Sequence, residues 1–232
     1  MKALFIMPSL DNGYWKKLGK KVGPKSEPLS LLYLATYLNH NGHTGEVLDC
    51  ETEGISLDEV EAHVKKGNYD VVGVAMLTSV YTQAVDVCKT IKKVDPNIMV
   101  IVGGSHVSVR PKQTVEDNEC IDIATIGEAE VTFLKLLNAF EKKKSIKDIP
   151  GIVYRDNGKV MMNPEGPKIT NLDMFPIPDR KLINMKLYRP SVSYYKRLPA
   201  YTMLTTRGCP YRCTFCATAE TGYRMHSVPR VV

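Results

Sequence analysis

A chain of 232 residues, 44% hydrophobic and 24% charged, has the balance of an ordinary globular protein and room for one large domain or two small ones. Its net charge of +6 gathers in lysine groups at 16–25 and 142–147, the pattern of solvated faces rather than of a nucleic-acid surface. No apolar run approaches the roughly 20 residues of a membrane helix, and the opening Met-Lys-Ala-Leu-Phe-Ile-Met-Pro has no small-residue cleavage site, so it reads as a strand and not as a signal peptide.

In chain order, residues 2–7 form an apolar strand that ends at Pro8-Ser9. Residues 29–41 carry helical spacing (Leu31, Leu32, Leu34, Ala35, Leu38), with Pro28 at the start and Gly42 at the end. A short strand at 46–49 precedes a helix at 56–66, opened by the capping box Ser56…Glu59. The near-continuous apolar run 70–77 predicts a strand buried on both faces. A helix at 80–94 follows, then a buried strand at 98–102 running into Gly103-Gly104. A short helix at 111–117, a strand at 121–125 and a long amphipathic helix at 128–143 complete the series, the last with Phe133, Leu136, Leu137 and Phe140 inward. Five β-α units in a row imply an α/β, doubly wound, five-stranded parallel sheet of Rossmann-like type over residues 1–145. Ligands of such sheets bind beyond the carboxyl ends of the strands, which places candidate loops at 8–28, 77–81, 103–110 and 127–130.

Residues 146–199 break this rhythm. Residues 151–154 and 159–162 flank a turn at Asn157-Gly158 and predict a β-hairpin. Repeated prolines among Tyr and Leu then suggest an ordered linker, since aromatic and aliphatic residues persist through it. From residue 200 a short strand, Ala-Tyr-Thr-Met-Leu-Thr-Thr206, leads through Arg207-Gly208 into Cys-Pro-Tyr-Arg-Cys-Thr-Phe-Cys.

Cys209, Cys213 and Cys216 stand at C-x3-C-x2-C spacing. Three such thiols can hold three corners of an iron–sulfur cube and leave the fourth iron open, whereas a closed structural site needs four protein ligands. His226 makes a Cys3His zinc site arithmetically possible, although zinc sites usually space their ligands as two pairs and no second C-x2-C is present. Cys50, Cys88 and Cys120 sit singly in apolar or helical contexts, the usage of a reducing compartment, and point to the cytoplasm.

The triad, with Phe215 just before its last cysteine, resembles the cluster loop of the radical S-adenosylmethionine (radical SAM) enzymes. The resemblance implies that Cys209, Cys213 and Cys216 ligate a 4Fe-4S cluster whose fourth iron chelates SAM. One electron then cleaves SAM to methionine and a 5′-deoxyadenosyl radical, and Phe215 lies near the adenine. The N-terminal part resembles the cobalamin (B12) binding domain that precedes many radical SAM barrels. The matching residues are Pro28-Leu-Ser-Leu-Leu-Tyr-Leu-Ala35, Asn41-Gly-His43, Asp70-Val-Val-Gly73, Gly103-Gly-Ser-His106 and Ile126-Gly-Glu-Ala-Glu130. Pro150-Gly-Ile152, Pro178-Asp-Arg180 and Leu182 extend the likeness through the linker.

A corrin needs an apolar floor, hydrogen bonds for its amides and a slot for its nucleotide tail. Thr78, Ser79 and Tyr81 offer hydroxyls at one strand end, and Gly103 and Gly104 let backbone approach a flat ligand. Gly127 is placed to do the same, with Glu128 opening a helix where its charge suits the dipole. Simple turn-making is the alternative for each glycine. His106 is a candidate contact to the corrin or its tail. The Asp-x-His-x-x-Gly motif that many cobalamin domains place after the first strand is missing: Asp11-Asn-Gly13-Tyr-Trp15 has no histidine, so a histidine lower axial ligand is not expected.

The expectation is therefore a cobalamin domain (1–145), a linker with a β-hairpin (146–199) and the first strand and cluster loop of a truncated β/α barrel (200–232). A full barrel needs about 250 residues, far more than follow Cys216, so the chain by itself is expected to be inactive. The resemblance implies a radical SAM methyltransferase acting on an unactivated centre of a small-molecule substrate, fed by a reductase or a ferredoxin-type electron donor, with no nucleic-acid partner and no membrane span. Its alternatives are a porphyrin-ester cyclase, a radical SAM enzyme with a vestigial cobalamin domain, and a non-catalytic cobalamin-binding module.

Overall fold

In the computed structural model, residues 1–10, 24–166, 168–216 and 222–232 are described. Strand β1 (Lys2–Met7) is followed by helix α1 (Leu29–His40), β2 (Thr44–Asp49), the single turn α2 (Cys50–Glu53) and α3 (Leu57–Gly67). Next come β3 (Val71–Ala75), α4 (Tyr81–Val94), β4 (Met99–Gly103), α5 (Ser105–Val109) and α6 (Pro111–Glu116). Strand β5 (Ile123–Thr125), α7 (Glu130–Glu141) and the hairpin strands β6 (Ile152–Asp156) and β7 (Lys159–Met162) close the series.

The sheet order is β2-β1-β3-β4-β5-β6-β7. The first five strands are parallel, as the repeated β-α pattern predicts. The hairpin does more than the sequence suggested: β6 pairs antiparallel with β5 and β7 with β6, which makes seven strands. Asn157 and Gly158 both take positive φ, 50° and 80°, as a two-residue turn of this hand requires. Tyr154 and Ile152 are buried with the parallel strands, so the hairpin shares their core.

Alternation along each strand divides the core into two layers. Leu4 and Ile6 of β1, Val72 and Val74 of β3, and Val100 and Val102 of β4 pack on one face with Val60, Val87, Cys88 and Ile91 of α3 and α4. Ala3 and Phe5, Val71 and Ile101 face the other way, onto Leu31, Ala35 and Leu38 of α1 and Phe133, Leu136 and Leu137 of α7. Each of these larger side chains, fully buried, contributes about 1.5–3 kcal/mol. Helix α3 starts with the expected capping box: Ser56 accepts from the Glu59 backbone while the Glu59 carboxylate accepts from the Ser56 N–H.

Two helical turns, α2 and α5, were not foreseen. At four and five residues they are too short to establish a period. Beyond the hairpin, single 3-10 turns at Leu172–Met174, Arg180–Leu182 and Met185–Leu187 are each opened by an Asn or Asp side chain (Asn171, Asp179, Asn184) that accepts from the backbone two residues on. This stretch is tied to the sheet domain: the Asp179 N–H donates to Thr36 Oγ1 (2.8 Å) and the Tyr188 hydroxyl to Asp49 (2.9 Å). The strand expected at 200–206 is reduced to β8 (Thr206–Arg207), paired antiparallel with β9 (Arg224–Met225). A strand needs a neighbour, and among the described residues only this two-residue one is at hand. A further turn, α8 (Val228–Val231), follows the ribbon.

Candidate functional site

The carboxyl ends of β1, β3, β4 and β5 share one edge of the sheet, and strand order reverses between β1 and β3, the place where such sheets hold ligands. A cavity of about 470 Å³ lies there, between the sheet, α1, α7 and the segment that leads into the cysteine loop. Phe5, Leu31, Ile101 and Phe133 make its apolar depth. Thr125, Glu128, Glu130 and Arg207 bring polar groups to it, and Leu204, Thr206 and Gly208 form part of the wall.

The structure sorts the sequence-nominated residues into two groups. Gly103, Gly104, Gly127 and Glu128 line the cavity. Thr78, Tyr81 and His106 instead form a cluster of their own: Thr78 Oγ1 lies 3.1 Å from His106 Nδ1, and the Tyr81 ring 4.5 Å from the imidazole. The Tyr81 hydroxyl accepts from Asn118 (2.8 Å), and Ser79 is exposed. Desolvation, aided by Arg110, holds the His106 pKa below its ordinary value.

The glycines differ in what they require. A β-carbon at Gly103 would lie 2.6 Å from Thr125 Oγ1, and one at Gly104, where φ is +127°, would lie 2.7 Å from the Met76 carbonyl oxygen. Both positions are dictated by packing inside the protein. Gly127, at φ +72°, meets open space, so its need is conformational.

Glu128 does not open the helix; α7 starts at Glu130. The Glu128 carboxylate is held bidentately by Arg224, at 2.9 and 2.7 Å, and these hydrogen bonds push the guanidinium pKa up. Glu130 pairs with Arg207 at 2.7 Å. Arg207 also lies over two rings, with Cζ 4.9 Å from the Tyr33 centroid and 5.1 Å from that of Phe175. Sequence reasoning missed Arg207, Glu130 and Arg224. The faint signal was the Glu-Ala-Glu run at a helix start and an arginine just ahead of the first cysteine.

No disulfide joins any of the six cysteines. Cys209 and Cys216 are half-buried and Cys213 is exposed, and the Cys216 N–H donates to the Cys213 carbonyl (3.0 Å), closing a turn. Phe215 is 91% exposed. Among the described residues no three His, Cys, Asp or Glu side chains are gathered as they would be around a metal ion. The donor set nevertheless suits an iron–sulfur cluster: three soft thiol ligands on one short loop, continuous with the cavity wall at Gly208. His226 is engaged elsewhere. It is buried, with Nδ1 2.9 Å from Asp173, and hydrogen bonds from Ser227 and His226 draw the Asp173 pKa down to about 2.

An apolar depth with a few polar groups around it is the usual character of a small-molecule or cofactor site. Asp11–Trp15 and the loop around it lie outside the described residues, so its missing histidine has no structural counterpart. No helix among the described residues is long and apolar enough to cross a membrane.

Comparison with known proteins gives the family. Residues 15–137 match the B12 binding domain family. The chain is 34% identical over 235 residues to an uncharacterised methyltransferase of Pyrococcus horikoshii, covering 100% of this chain and 49% of the relative. It is 29% identical over 239 residues to the anaerobic magnesium-protoporphyrin IX monomethyl ester cyclase of Rubrivivax gelatinosus, covering 100% of this chain and 41% of that enzyme. Among solved structures, the cobalamin-dependent S-adenosylmethionine radical enzyme OxsB with aqua-cobalamin bound shares the fold at a TM-score of 0.76 and 19% identity, over 99% of this chain and 30% of that one. The chain thus spans about half, or less, of the length of the proteins it matches.

Proposed function

We propose, since the chain belongs to the cobalamin-dependent radical SAM enzymes through its B12-binding domain, that it is the cobalamin-binding part, with the cluster loop, of a methyltransferase acting on a small molecule. The observation that carries this reading is the shared wall. The segment Leu204–Gly208 that feeds the cysteine loop also lines the cavity at the strand ends, so a corrin and a cluster would sit against one stretch of chain. In this reading Phe5 and Phe133, between α1 and α7, would exclude water from the bound cofactor, and Gly127 and Thr125 would bring backbone and a hydroxyl to it. Thr78, Ser79, Tyr81 and His106 lie outside the cavity lining, close in sequence to Leu77 and Gly104, which line it.

Cys209, Cys213 and Cys216 would ligate three irons, and Phe215 would meet the adenine of SAM. When bound, the cluster supplies the electron that cleaves SAM and the corrin supplies the transferable methyl group. The chain's own task is to hold both, exclude water and set their separation. The electron itself must come from a reductase or ferredoxin-type partner. Relatives named as methyltransferases support transfer of a methyl group; the likeness to the ester cyclase, which spans the whole chain, supports cyclisation as the second reading.

The test is retention of corrin. The chain is mixed with hydroxocobalamin and desalted, and its absorption spectrum is compared with protein concentration. Stoichiometric retention is expected. A folded chain that retains none would overturn the cobalamin reading in favour of a vestigial domain.

A further inference from the structure

The ribbon β8–β9 is an unlikely structure on its own. It is two residues long on each side, and its register places Arg207 directly opposite Arg224. Like charges in that relation destabilise a strand pair. What offsets the repulsion comes from another part of the molecule, the turn that opens α7: Glu130 takes Arg207 at 2.7 Å and Glu128 takes Arg224 bidentately. Arg207, Arg224 and Glu130 are sheltered, at 11%, 13% and 7% exposed, and Glu128 is half-buried. Arg224 also donates to the Ile169 carbonyl oxygen (2.7 Å), and Arg207 is flanked by Tyr33 of α1 and Phe175. The ribbon therefore has a reason to form only when it is docked on the α7 turn.

Resting on the cobalamin reading above, we propose that Arg207 and Arg224 are positioning residues. Held by Glu130 and Glu128, they fix the segment that feeds Cys209 as one wall of the corrin slot, and so set where the cluster loop stands relative to the corrin. Arg207 lies two residues before Cys209 and itself lines the slot with Thr206 and Gly208. The two carboxylates act on the guanidinium groups and not on the ligand. Arg207 also has Glu128 within 3.9 Å, so replacing one partner weakens the shared cluster and releases the ribbon, whereas exchanging the signs of Glu128 and Arg224 restores attraction between them.

The experiment follows amide hydrogen exchange of residues 204–208 in the chain without added cofactor, with β3 as internal control for folding, and hydroxocobalamin affinity in the same proteins. Glu130→Gln and Arg207→Met are each expected to speed exchange at 204–208 by about tenfold and weaken corrin binding by about tenfold, with β3 unchanged. Glu128→Arg should do the same, and the double variant Glu128→Arg with Arg224→Glu should return both readouts toward those of the original chain. A general loss of stability would move β3 as well, and a loss caused only by the bulk of the new side chain would not recover on reversing the charges. Unchanged exchange in the single variants, or a double variant no better than Glu128→Arg alone, would overturn the proposal even if corrin is retained. If the original chain retains no corrin while the exchange pattern and its rescue hold, the cobalamin reading fails and the positioning of the loop stands.

Discussion

The sheet domain and the segment after it are held together by different means. In the seven-stranded sheet, Ala3, Leu4, Ile6, Val71 and Val72 are wholly buried and the strands satisfy one another's backbone groups. From residue 172 onward, order comes in single 3-10 turns, a two-residue ribbon and side-chain bonds to distant partners, while Tyr194, Tyr211 and Phe215 stand in the open. A sheet carries its own cooperativity. The later segment borrows it through a few buried side chains, such as Phe175, Ile183 and Tyr188, and a few charged contacts, so its placement is more easily altered than the fold that supports it.

Substitutions can break that contrast or sharpen it. The largest effect is expected from Cys213→Ala: iron and sulfide incorporated by anaerobic reconstitution should be lost, whereas Cys120→Ala, in the sheet domain, should leave them unchanged. Equal loss in both would show that the triad is not the ligand set. Ala75→Phe puts a ring into the slot at the end of β3. Hydroxocobalamin binding, followed by absorbance, should weaken at least about a hundredfold while the circular dichroism of the sheet persists.

Glu27 is the third target. Its side chain is 1% exposed and accepts from the Thr202 N–H (3.2 Å) and hydroxyl. Thr202→Val removes the hydroxyl from that buried carboxylate at a cost of about 1–3 kcal/mol. Proteolysis at 196–204 should quicken, with the sheet intact.

The smallest effect concerns acid. Hydrogen bonds from Ser227 and His226 lower the Asp173 pKa from 3.8 to about 2 in the folded chain. A group depressed in this way stabilises the fold fully above its unfolded value, and that contribution is lost as pH falls through the folded one. Exchange of the amides at 226–228 should therefore rise between about pH 4 and pH 2, and Asp173→Asn should remove that dependence.

Legibility in the sequence followed the same divide. Strands β1, β3 and β4 were evident because burial on both faces demands unbroken apolar runs, and α3 and α4 because a 3.6-residue period needs only local residues to show itself. The joining of β6 to β5 was not, since edge pairing is a property of two distant segments. At the site, the three cysteines could be nominated by spacing alone. Gly103 and Gly104 were nominated for close approach to a flat ligand; within the protein they make way for Thr125 and Met76, which no local pattern names. Glu128 was read as a helix-start charge, and its partner Arg224 lies 96 residues away. A run of thirty residues can announce a helix; it cannot announce an ion pair across half the chain.

The partner of Glu27 lies farther still, 175 residues downstream at Thr202. A chain made from its N-terminus has long since formed β1 and α1 before Thr202 leaves the ribosome. Until then the carboxylate ahead of α1 remains hydrated, and the entrance to that helix is without its neighbour. The segment 204–208, which closes one side of the slot, is made later again. The order of synthesis thus lays down the floor and sides of the slot before the segment that closes it.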